Sequence, residues 1–564
     1  MTGKSSNSAI ARYTFVALAF CAAMTFVGVA TASTYVVYIP LDSPIYDELD
    51  TLNGLGYLDT YLAGIKPIAR VEAARLVLEA DRNLENASHR DALASEILQS
   101  LHLQLGEEIE WLVNNREDNL PTMVHPIQRF EASYVYSHGD PRYWRTGPSG
   151  IEAQEETPLL PDNDALPTGS GSNEAARLSG WGGFGGFLSA YGEGAVAGPI
   201  THSLETGGRT RVLGAESVVS LGNFGMSFGQ QEMNWGLAKF GSASQSANAQ
   251  PFPALRAQNI HPIVLPWIFR YLGQFRYSVF FGQLDHSHQY SRPWIDGQIF
   301  EFKPLPNFEF GLTHTIQFGG HGNDFYNFWG FLGRATAFST GNAADGNTNS
   351  RGGVFARVTF PSLSGAQLYQ EVLGEDNLTN EVPGVGRFLP FLARTWQGGV
   401  YLPRLTVDGL TDFRLEYIIT EPQYSVHSDS LYWSYKDQTM GNSLGPNGTG
   451  VHLFFGRWFD LRYKGDVDLF YTEQAPTWGD NTPYAAPYYP YSLNKERSGG
   501  VAFDFLKIPD RIQSLRGPSL VGARGRAAIE YARFLNYQRN AGSTRFLLSF
   551  SCSLDPGVKS LEWR

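Results

Sequence analysis

The sequence is poor in cysteine, with two residues in 564. Cys21 lies in an N-terminal stretch built like a secretory signal, with Lys4 and Arg12 flanking the start of an apolar run and small residues at the expected cleavage site. Residues 1–32 are therefore predicted to be a signal peptide, which leaves Cys552 alone in the exported chain. An exported protein of this length without an intramolecular disulfide must be stabilised by burial or by a membrane.

Long apolar runs and an excess of basic residues are also missing. After residue 32 there is no run of about 18 apolar residues, which excludes transmembrane helices. In the same part of the chain, 41 basic residues face 55 acidic ones, a net charge of −14 that disfavours nucleic acid as a partner. Aromatic residues are abundant instead, with 28 Tyr, 37 Phe and 12 Trp. That composition is typical of a transmembrane β-barrel, whose strands carry aromatic girdles at both membrane interfaces.

The first part of the mature chain has helical periodicity. Residues 41–115 predict three helices, the first of which begins at Ser43 with proline at its first position. The third places an apolar stripe from Leu93 to Leu112 on one face. We therefore predict a small periplasmic helical bundle over residues 33–127.

From residue 128 onward the apolar residues recur at every second position. In "TDFRLEYIIT", Phe413 and Leu415 lie on one face while Arg414 and Glu416 lie on the other. Many such segments have the length of a tilted membrane-spanning strand, and about 24 residues per strand and connection gives about 18 strands. We predict an all-β transmembrane barrel of about 18 antiparallel strands over residues 128–554, followed by a C-terminal tail at 555–564. Closure is required because unpaired strand edges cannot be solvated in lipid.

Two glycine-containing motifs resemble enzyme signatures but lack the required structural context. Gly180, Gly182 and Gly185 form G-x-G-x-x-G inside a glycine- and aromatic-rich strand pattern, whereas a dinucleotide site needs a helix after the turn. The G-x-S-x-G motif from Gly441 to Gly445 is followed by turn residues and not by the helix of a nucleophile elbow. Neither motif predicts catalysis.

Two polar clusters also fall short of a catalytic or metal site. His286 and His288 share one face of an extended segment, but zinc needs three or four converging ligands. Glu375 and Asp376 are adjacent, so on a strand they point to opposite faces and do not flank a sugar as glycosidase carboxylates do. The sequence therefore predicts no catalytic residue, no metal site and no cofactor.

One segment carries a family resemblance. "QQEMNWGLAKFGSASQSANAQPFPALR" resembles the signature of the Wzi capsule assembly family, in which a Glu and a Trp-Gly precede small polar residues and Pro-Phe-Pro. "FEFKPLPNFEFGLTHTIQFGG", "LYQEVLGEDN" and "LYWSYKDQTMGNSLGPNG" follow in the same order. The signature residues are Glu232, Trp235, Gly236, Pro251, Phe252 and Pro253. The resemblance implies an 18-stranded outer-membrane barrel with a periplasmic helical bundle, acting as a lectin that holds capsular polysaccharide at the cell surface.

Two further features qualify this resemblance. Residues 139–177 form an insertion, rich in proline, serine, glycine and acidic residues, after the first strand. "GIKPIARVEAARLV", residues 64–77, resembles a single S-layer-homology module; porins that carry such modules bind cell-wall polymers.

Residues 232–266 are too long for a periplasmic turn, so we predict a loop that folds into or across the barrel lumen. Its prolines limit backbone freedom, and its small polar residues permit close packing against the wall. Trp235 either stacks on a sugar face or anchors this plug, and we favour the anchoring role.

The best candidate for ligand binding lies near the end of the barrel sequence. "SVHSDSLYWSYKDQTMGNSLGPNG" concentrates aromatic, amide and charged groups, which bind sugars through many weak contacts. The candidate residues are Tyr432, Trp433, Tyr435, Lys436, Asp437 and Asn442. An aromatic girdle at a strand end is the alternative for Trp433 and Tyr435.

Our leading hypothesis is a non-enzymatic barrel in the outer membrane of a Gram-negative bacterium that binds exported or capsular polysaccharide. Its predicted partners are the polysaccharide, the lipid bilayer and the envelope export machinery, and not nucleic acid. A diffusion porin and a barrel sleeve around another envelope-spanning complex are the alternatives.

Overall fold

The computed structural model describes most of the chain in discrete stretches. They are residues 34–87, 91–114, 120–140, 142–145, 153–156, 159–160, 168, 170–198, 210–286, 291–321, 348–375, 395–420, 433–436, 438–475, 495–514, 517–535, 541–555 and 561–563. The predicted signal peptide lies outside them. Within these stretches, every helix is too short or too polar to span a membrane.

Four helices precede the barrel: α1 (Pro44–Gly54), α2 (Arg70–Glu85), α3 (Ala92–Gln104) and α4 (Gly106–Val113). The start of α1 is as predicted, because Ser43 Oγ accepts a hydrogen bond from the Ile45 amide and Pro44 occupies the first helical position. The prediction of three helices is wrong, since the predicted third helix is divided at Leu105, whose φ of −120° ends α3. Glycine at the next position is a poor helix former, so the apolar stripe continues on a separate helix.

The remainder forms a closed antiparallel barrel, and the described residues supply 18 principal strands, as predicted. The strands are β1 (Thr122–His138), β2 (Gly171–Phe184), β3 (Leu188–Ala197), β4 (Thr210–Leu221), β5 (Phe224–Gln230), β6 (Pro253–Asn259), β7 (Gln274–Gln283), β8 (Trp294–Leu305), β9 (Phe308–Phe318), β10 (Thr348–Phe360), β11 (Ala366–Glu375), β12 (Thr395–Leu402), β13 (Thr411–Ile419), β14 (Gly448–Phe459), β15 (Tyr463–Gln474), β16 (Glu496–Ser514), β17 (Gly517–Arg533) and β18 (Gly542–Asp555).

The barrel begins at Thr122, earlier than the predicted residue 128. A bulge between His125 and Arg129 interrupts the pairing of β1 with β2 at Pro126, a residue that has no amide hydrogen for a sheet. Because of this bulge, the first residues of the strand do not show a two-residue periodicity in the sequence.

The seam of the barrel lies at β1, which pairs with β2 on one side and β18 on the other. Part of the predicted C-terminal tail contributes to this seam. Leu561–Trp563 forms a short strand that pairs with Thr122–Val124, next to the last strand. The chain end thus closes the sheet beside the first residues of β1.

The alternation predicted for "TDFRLEYIIT" is confirmed in β13. Phe413 faces outward and its ring lies 4.9 Å from that of Phe455, a residue on the exposed surface. Glu416, on the opposite face, is buried in the lumen. Outward apolar side chains recur around the barrel, as a lipid-facing surface requires.

The connections between strands differ in length at the two ends of the barrel. At one end the turns are short, as at 222–223, 306–307 and 460–462, whereas at the other end lie longer connections such as 231–252. The helical bundle lies at the end with the short turns. Arg404 donates a 2.6 Å hydrogen bond to Asp91, and Arg462 donates a bond of the same length to Glu96.

The segment between α1 and α2 enters the barrel mouth and is held by charged side chains of the wall. Glu301 accepts a 2.7 Å hydrogen bond from the Gly64 amide. Arg276 donates to the carbonyl of Ile65 at 3.0 Å, and Lys303 Nζ donates to that of Tyr61 at 2.9 Å. The first residues of the stretch that resembles an S-layer-homology module are therefore engaged with the barrel.

The predicted insertion 139–177 is partly a barrel strand, because β2 begins at Gly171. Before it, Arg142–Arg145 pairs with Ala153–Glu156 as a small hairpin. Leu159 is buried in an apolar cluster with wall residues that include Phe470 and Ala528. This part of the insertion therefore reaches into the lumen.

Candidate functional site

The segment predicted to plug the lumen contains a loop, a strand and a turn. Residues 231–252 form the loop, whereas β6 and Ile263–Val264 belong to the barrel wall. Most residues from 231 to 252 are buried, whereas the prediction is wrong for residues 253–264, which are not part of the loop. The error arises because β6, "PALRAQN", begins with proline, is only seven residues long and has a single large apolar residue, Leu255.

Trp235 anchors the plug loop to the segment that enters from the helical bundle. Asn234 and Trp235 pair antiparallel with Lys66 and Ile65. The Trp235 ring is 1% exposed and lies 5.1 Å from the ring of Phe280, which points into the lumen from β7. The ring has no free face for a sugar, so anchoring is the role that the contacts support.

Gly236 is required by the close approach of the plug to the wall. Its amide donates a 2.9 Å hydrogen bond to the carbonyl of Gly64, and its φ of 151° is one that other residues rarely adopt. A Cβ atom at this position would overlap the carboxylate of Glu371 and the hydroxyl of Ser242. The family signature therefore includes a residue whose backbone must touch its neighbours.

Two buried glutamates of the wall bind the backbone of the plug loop. Glu371 of β11 accepts a hydrogen bond from the Leu237 amide at 2.5 Å. Glu416 of β13 accepts from the amides of Lys239 and Phe240, at 2.8 and 3.0 Å. Because a backbone amide that is buried without a partner is costly, these side-chain oxygens hold the loop across the lumen.

The other signature residues flank the loop. Phe252 is buried, and its ring lies 5.5 Å from Phe280 and 5.9 Å from Tyr435. Pro251 precedes it, and Pro253 begins β6. Glu232 lies at the start of the loop, where it lines a small cavity of about 30 Å³.

The predicted ligand-binding segment also folds inward. Trp433 is completely buried, and the Arg351 guanidinium lies 4.2 Å from the centre of its ring. Asn442 is buried as well, and its amide nitrogen donates to the carbonyls of Phe240 and Gly241 at 2.5 and 3.1 Å. Residues 433–447 therefore continue from the outer connection into the lumen.

The backbone carbonyls of this inner loop accept hydrogen bonds from the plug loop, which interlocks the two loops. The Ser246 amide donates to the Met440 carbonyl at 2.9 Å, and Ser246 Oγ donates to the Gly441 carbonyl at 2.6 Å. Asn248 Nδ2 donates to the Thr439 carbonyl at 3.1 Å. We call the two loops, 231–252 and 433–447, the interlocked plug.

These contacts bear on the residues predicted to bind a ligand. Trp433, Tyr435 and Asn442 are buried and are engaged in the packing of the plug. Lys436 is partly exposed; its amide donates to the Asp285 carboxylate at 2.7 Å and its Nζ to Gln250 at 2.9 Å. Tyr432 and Asp437 lie outside the described residues. Ligand binding by this set stays a prediction. Among its described members, Lys436 is the one whose partly exposed position is most compatible with binding a ligand.

The structure also contains a luminal chamber that the sequence did not reveal. Its volume is about 290 Å³, and it lies between Lys239 and Phe240 of the plug and the wall around the seam. Besides Lys239, the polar lining residues are Asp42, Asp47, Glu131, Ser133, Thr168, Asn173, Glu174, Arg177, Lys464, Asp466, Asp504, Arg524, Arg526, Ser549 and Ser551. Alternation in the sequence places these residues on the polar face of their strands. It does not show which strands lie opposite one another across the lumen, so the chamber could not be predicted.

The charges of this chamber are largely paired. Arg526 donates to Asp504 at 2.6 Å and to Asp468 at 3.2 Å. The same guanidinium donates a 2.8 Å hydrogen bond to the carbonyl of Leu159, which anchors the insertion. Lys239 Nζ lies 3.9 Å from Asp466, on the wall. Paired charges and hydroxyl groups make this chamber polar without a strong excess of either sign.

Asp42 lies at the end of the chamber nearest the helical bundle, just before α1. Arg129 donates to both of its carboxylate oxygens, and Arg177 and Arg524 lie 3.6 and 3.8 Å from it. Burial alone would raise the pKa of Asp42, but these guanidinium groups outweigh burial and hold the pKa well below its usual range. The carboxylate is therefore ionised and ties the bundle to three strands of the wall.

The described residues of the two glycine motifs and of the two polar clusters, from which no catalytic or metal site was predicted, lie in strands, turns and loops. Gly180 and Gly182 are in β2, and Gly185 is in the turn to another strand. Gly441–Gly445 is part of the inner loop and Glu375 ends β11, while His288 and Asp376 lie outside the described residues. His286 Nδ1 pairs with Ser291 Oγ at 2.9 Å in an exposed hairpin end. Among the described residues, no group of three or more His, Cys, Asp and Glu side chains could hold a metal ion.

Comparisons with known proteins agree with this architecture. The profile of the family described as "Capsule assembly protein Wzi" matches residues 142–486. A Klebsiella pneumoniae protein described as "Uncharacterized 55.8 kDa protein in cps region" is 28% identical over 198 residues, which are 33% of this chain and 37% of that protein. This match therefore spans little more than a third of the relative's length.

Among solved structures, the chain is similar to Escherichia coli Wzi, described as an outer membrane protein involved in Group 1 capsule assembly and as a carbohydrate-binding β-barrel. The TM-score is 0.63 at 16% identity, covering 92% of this chain and 99% of that one. At this identity the likeness shows the fold, an outer-membrane barrel. The family profile matches more than half of the sequence, and the chain therefore belongs to the Wzi capsule assembly family.

Proposed function

We propose that this outer-membrane barrel binds an exported or capsular polysaccharide at the cell surface and assists its assembly or attachment without catalysing a reaction. The observation that carries the proposal is the interlocked plug, which crosses the lumen from the outer connections down to the segment from the helical bundle. Because the barrel's own loops cross the lumen, the part of the chain that the structure describes leaves no wide channel. The outer loops are therefore the surface on which the protein acts. Membership of the Wzi family and the carbohydrate binding described for the Escherichia coli protein support the same role.

The location of the parts suits this role. Because short turns of outer-membrane barrels face the periplasm, we propose that residues 33–127 form a periplasmic domain and that the long connections face outward. The inner loop 433–447 links the surface to the plug, and Lys436 lies partly exposed where it begins. Polymers are held by many weak contacts, so such a loop can bind a glycan without a deep pocket.

Cells that lack this gene provide the test. Complementation with the wild-type gene should restore polysaccharide to the cell surface, whereas without it the polymer should appear in the culture medium in a similar total amount. Equal retention with and without the protein would overturn the proposal. A fall in total polymer would indicate a role in synthesis or export in place of attachment.

A diffusion porin is the second candidate, and the luminal chamber is the observation in its favour. The chamber extends beside the plug from Asp42, near the helical bundle, to Glu174 and Gly198, near the outer end of the wall. Single-channel recording in planar bilayers separates the two roles. The glycan-binding role predicts little or no steady conductance, whereas a porin would conduct without any substitution.

The export machinery is a further proposed partner, and the sleeve function is disfavoured by the same plug. Because the chain's own loops and the segment from the bundle occupy the lumen, a second protein could pass through only if the plug left it. Contact with export components at the periplasmic domain requires no such displacement. Cross-linking from the bundle in intact cells would identify such components.

A further inference from the structure

The turn that follows β6 projects an unusual set of side chains from the barrel. Trp267–Leu272 forms a 3-10 helix in which none of the residues is buried. Trp267 is 87% exposed, Ile268 72% and Tyr271 69%. Contiguous exposed apolar side chains mark a surface that meets a partner or a membrane, whereas isolated ones do not. We call residues 267–272 the aromatic turn.

The backbone of the aromatic turn is held in an uncommon conformation. Trp267 has a φ of 59°, which is rare for a bulky residue. It follows Pro266, whose ring limits the backbone before the turn. Such a conformation persists where the surrounding structure imposes it, and here it directs the largest side chain of the turn away from the protein.

The turn adjoins an aromatic patch on the outer face of β7, β8 and β9. In these strands Arg276, Glu301 and Lys303 point into the lumen, where the first two bind the segment at 64–65. The alternate residues therefore point outward, including Phe302, whose ring lies 4.9 Å from that of Phe275; Phe275 itself is covered and only 1% exposed.

The patch extends to the neighbouring strand and back to the turn. Phe310 of β9 lies 5.1 Å from Phe302. Gly273 joins the turn to β7, and a Cβ atom there would overlap the Lys303 carbonyl of β8, so the turn lies directly against these strands. The aromatic turn thus continues the lipid-facing surface of the barrel at its periplasmic end.

The polar atoms of the turn complete an amphipathic arrangement. The Arg270 guanidinium lies 5.0 Å from the centre of the Tyr271 ring and donates a 3.1 Å hydrogen bond to the tyrosine hydroxyl. Arginine and tyrosine both carry an apolar body with a polar tip, and Trp and Tyr concentrate where acyl chains meet headgroups. A cation in the same turn also matches the phosphate groups of phospholipids.

We propose that the aromatic turn inserts into the periplasmic leaflet of the outer membrane and binds phospholipid there, with Trp267 and Ile268 among acyl chains and Arg270 at the phosphates. The turn would fix the depth and orientation of the barrel on the side of β7–β9. This inference rests on the barrel and its lipid face, and it is independent of the polysaccharide proposal.

The test places a fluorescent probe on the turn in the intact protein. Cys552 is replaced by serine, Ile268→Cys is introduced, and the product is labelled with an environment-sensitive fluorophore in phosphatidylethanolamine and phosphatidylglycerol vesicles. The matched control is Val407→Cys, at another periplasmic turn, where the neighbouring Asp408 forms a 2.9 Å ion pair with Arg457 that indicates water. Heat-modifiability on gels verifies that each labelled protein is folded.

The probe at position 268 should be quenched by lipids carrying a nitroxide near the headgroup, and iodide in the buffer should quench it several-fold less than the probe at 407. Equal iodide quenching at both positions would place the turn in water and overturn the proposal. Protection from iodide in intact envelopes but not in vesicles would assign the turn to a protein partner, which also overturns it.

Discussion

Arg129 of β1 donates two hydrogen bonds to the carboxylate of Asp42, at 2.8 and 2.7 Å, and thereby joins the barrel wall to the residue before the first helix. The two oxygens accept from the two terminal nitrogens, a bidentate geometry that is stronger and more specific than a single bond. Through this pair the helical bundle is attached to the seam of the barrel and does not rely on apolar packing alone.

Asp42→Asn should weaken the attachment of the bundle. The substitution removes the carboxylate that Arg129, Arg177 and Arg524 share and leaves Glu131 beside the first two, so we expect a loss below the about 3–5 kcal/mol that is typical of breaking an isolated buried pair. We expect faster limited proteolysis of the bundle in detergent and an increase in single-channel conductance. Asp81→Asn is the control, because Asp81 pairs at the surface with His102 and should leave both measurements unchanged. Identical behaviour of the two variants would contradict the proposed attachment.

Gly236→Ala should displace the plug. The added methyl group would overlap Glu371 and Ser242, and the φ of 151° is strained for alanine. Small-to-large changes in close-packed regions cost about 1–3 kcal/mol, so the variant should lose thermal stability and conduct more. Gly106→Ala is matched to it, since a Cβ atom there meets nothing within 4 Å. Normal stability and conductance of Gly236→Ala would show that the plug does not need this contact.

The stability of the helical bundle should depend on pH through Glu48 of α1. Burial raises the pKa of this carboxyl to about 8, although Ser100 and Gln104 donate hydrogen bonds to it. Between the unfolded value of about 4.5 and about 8, the folded state holds a proton that the unfolded state lacks, so stability falls as pH rises, by roughly 1 kcal/mol per pH unit.

Glu48→Gln should remove this slope and stabilise the bundle above neutral pH, because the amide resembles the protonated acid. Hydrogen exchange of the α3 amides, corrected for the intrinsic effect of pH, measures the difference. A slope that persists in the variant would assign the pH dependence to another group.

Replacing Tyr432, Lys436 and Asp437 with alanine should lower polysaccharide retention while leaving insertion and heat-modifiability intact. Asn442 is best left unchanged in this variant because its amide holds the plug loop, so its loss would mix a structural effect with a binding effect. Asn442→Ala alone should increase conductance. Retention equal to wild type in the triple variant would remove these three residues from the binding surface.

The fold was largely predictable because the alternation of apolar and polar residues along a strand shows which residues lie on each of its two faces. In "TDFRLEYIIT" alternation alone placed Phe413 and Glu416 on opposite faces, and the structure has the first pointing outward and the second buried in the lumen. Where a bulge at Pro126 or a break at Leu105 interrupts the period, the predicted boundary was wrong. Periodicity in the sequence shows which residues share a face. A bulge or a helix break interrupts the periodicity, so the boundary of the element cannot be predicted there.

The candidate site was harder to predict because it depends on contacts between distant segments. Trp433 and Asn442 have the residue types of a glycan site, yet the first lies under Arg351 and the second holds the carbonyl of Phe240. Nothing in the local sequence indicates these partners, since they come from a strand and a loop far along the chain. The luminal chamber was missed for the same reason.

Binding of the purified, detergent-solubilised protein to purified capsular or exported polysaccharide from the same cells tests the central claim most directly. Immobilised protein and a concentration series of polymer in biolayer interferometry should give saturable binding, while an unrelated polysaccharide should give none. The plugged barrel should show this binding together with little single-channel conductance. Absence of binding by folded, heat-modifiable protein, or a large steady conductance in the unsubstituted chain, would contradict the account.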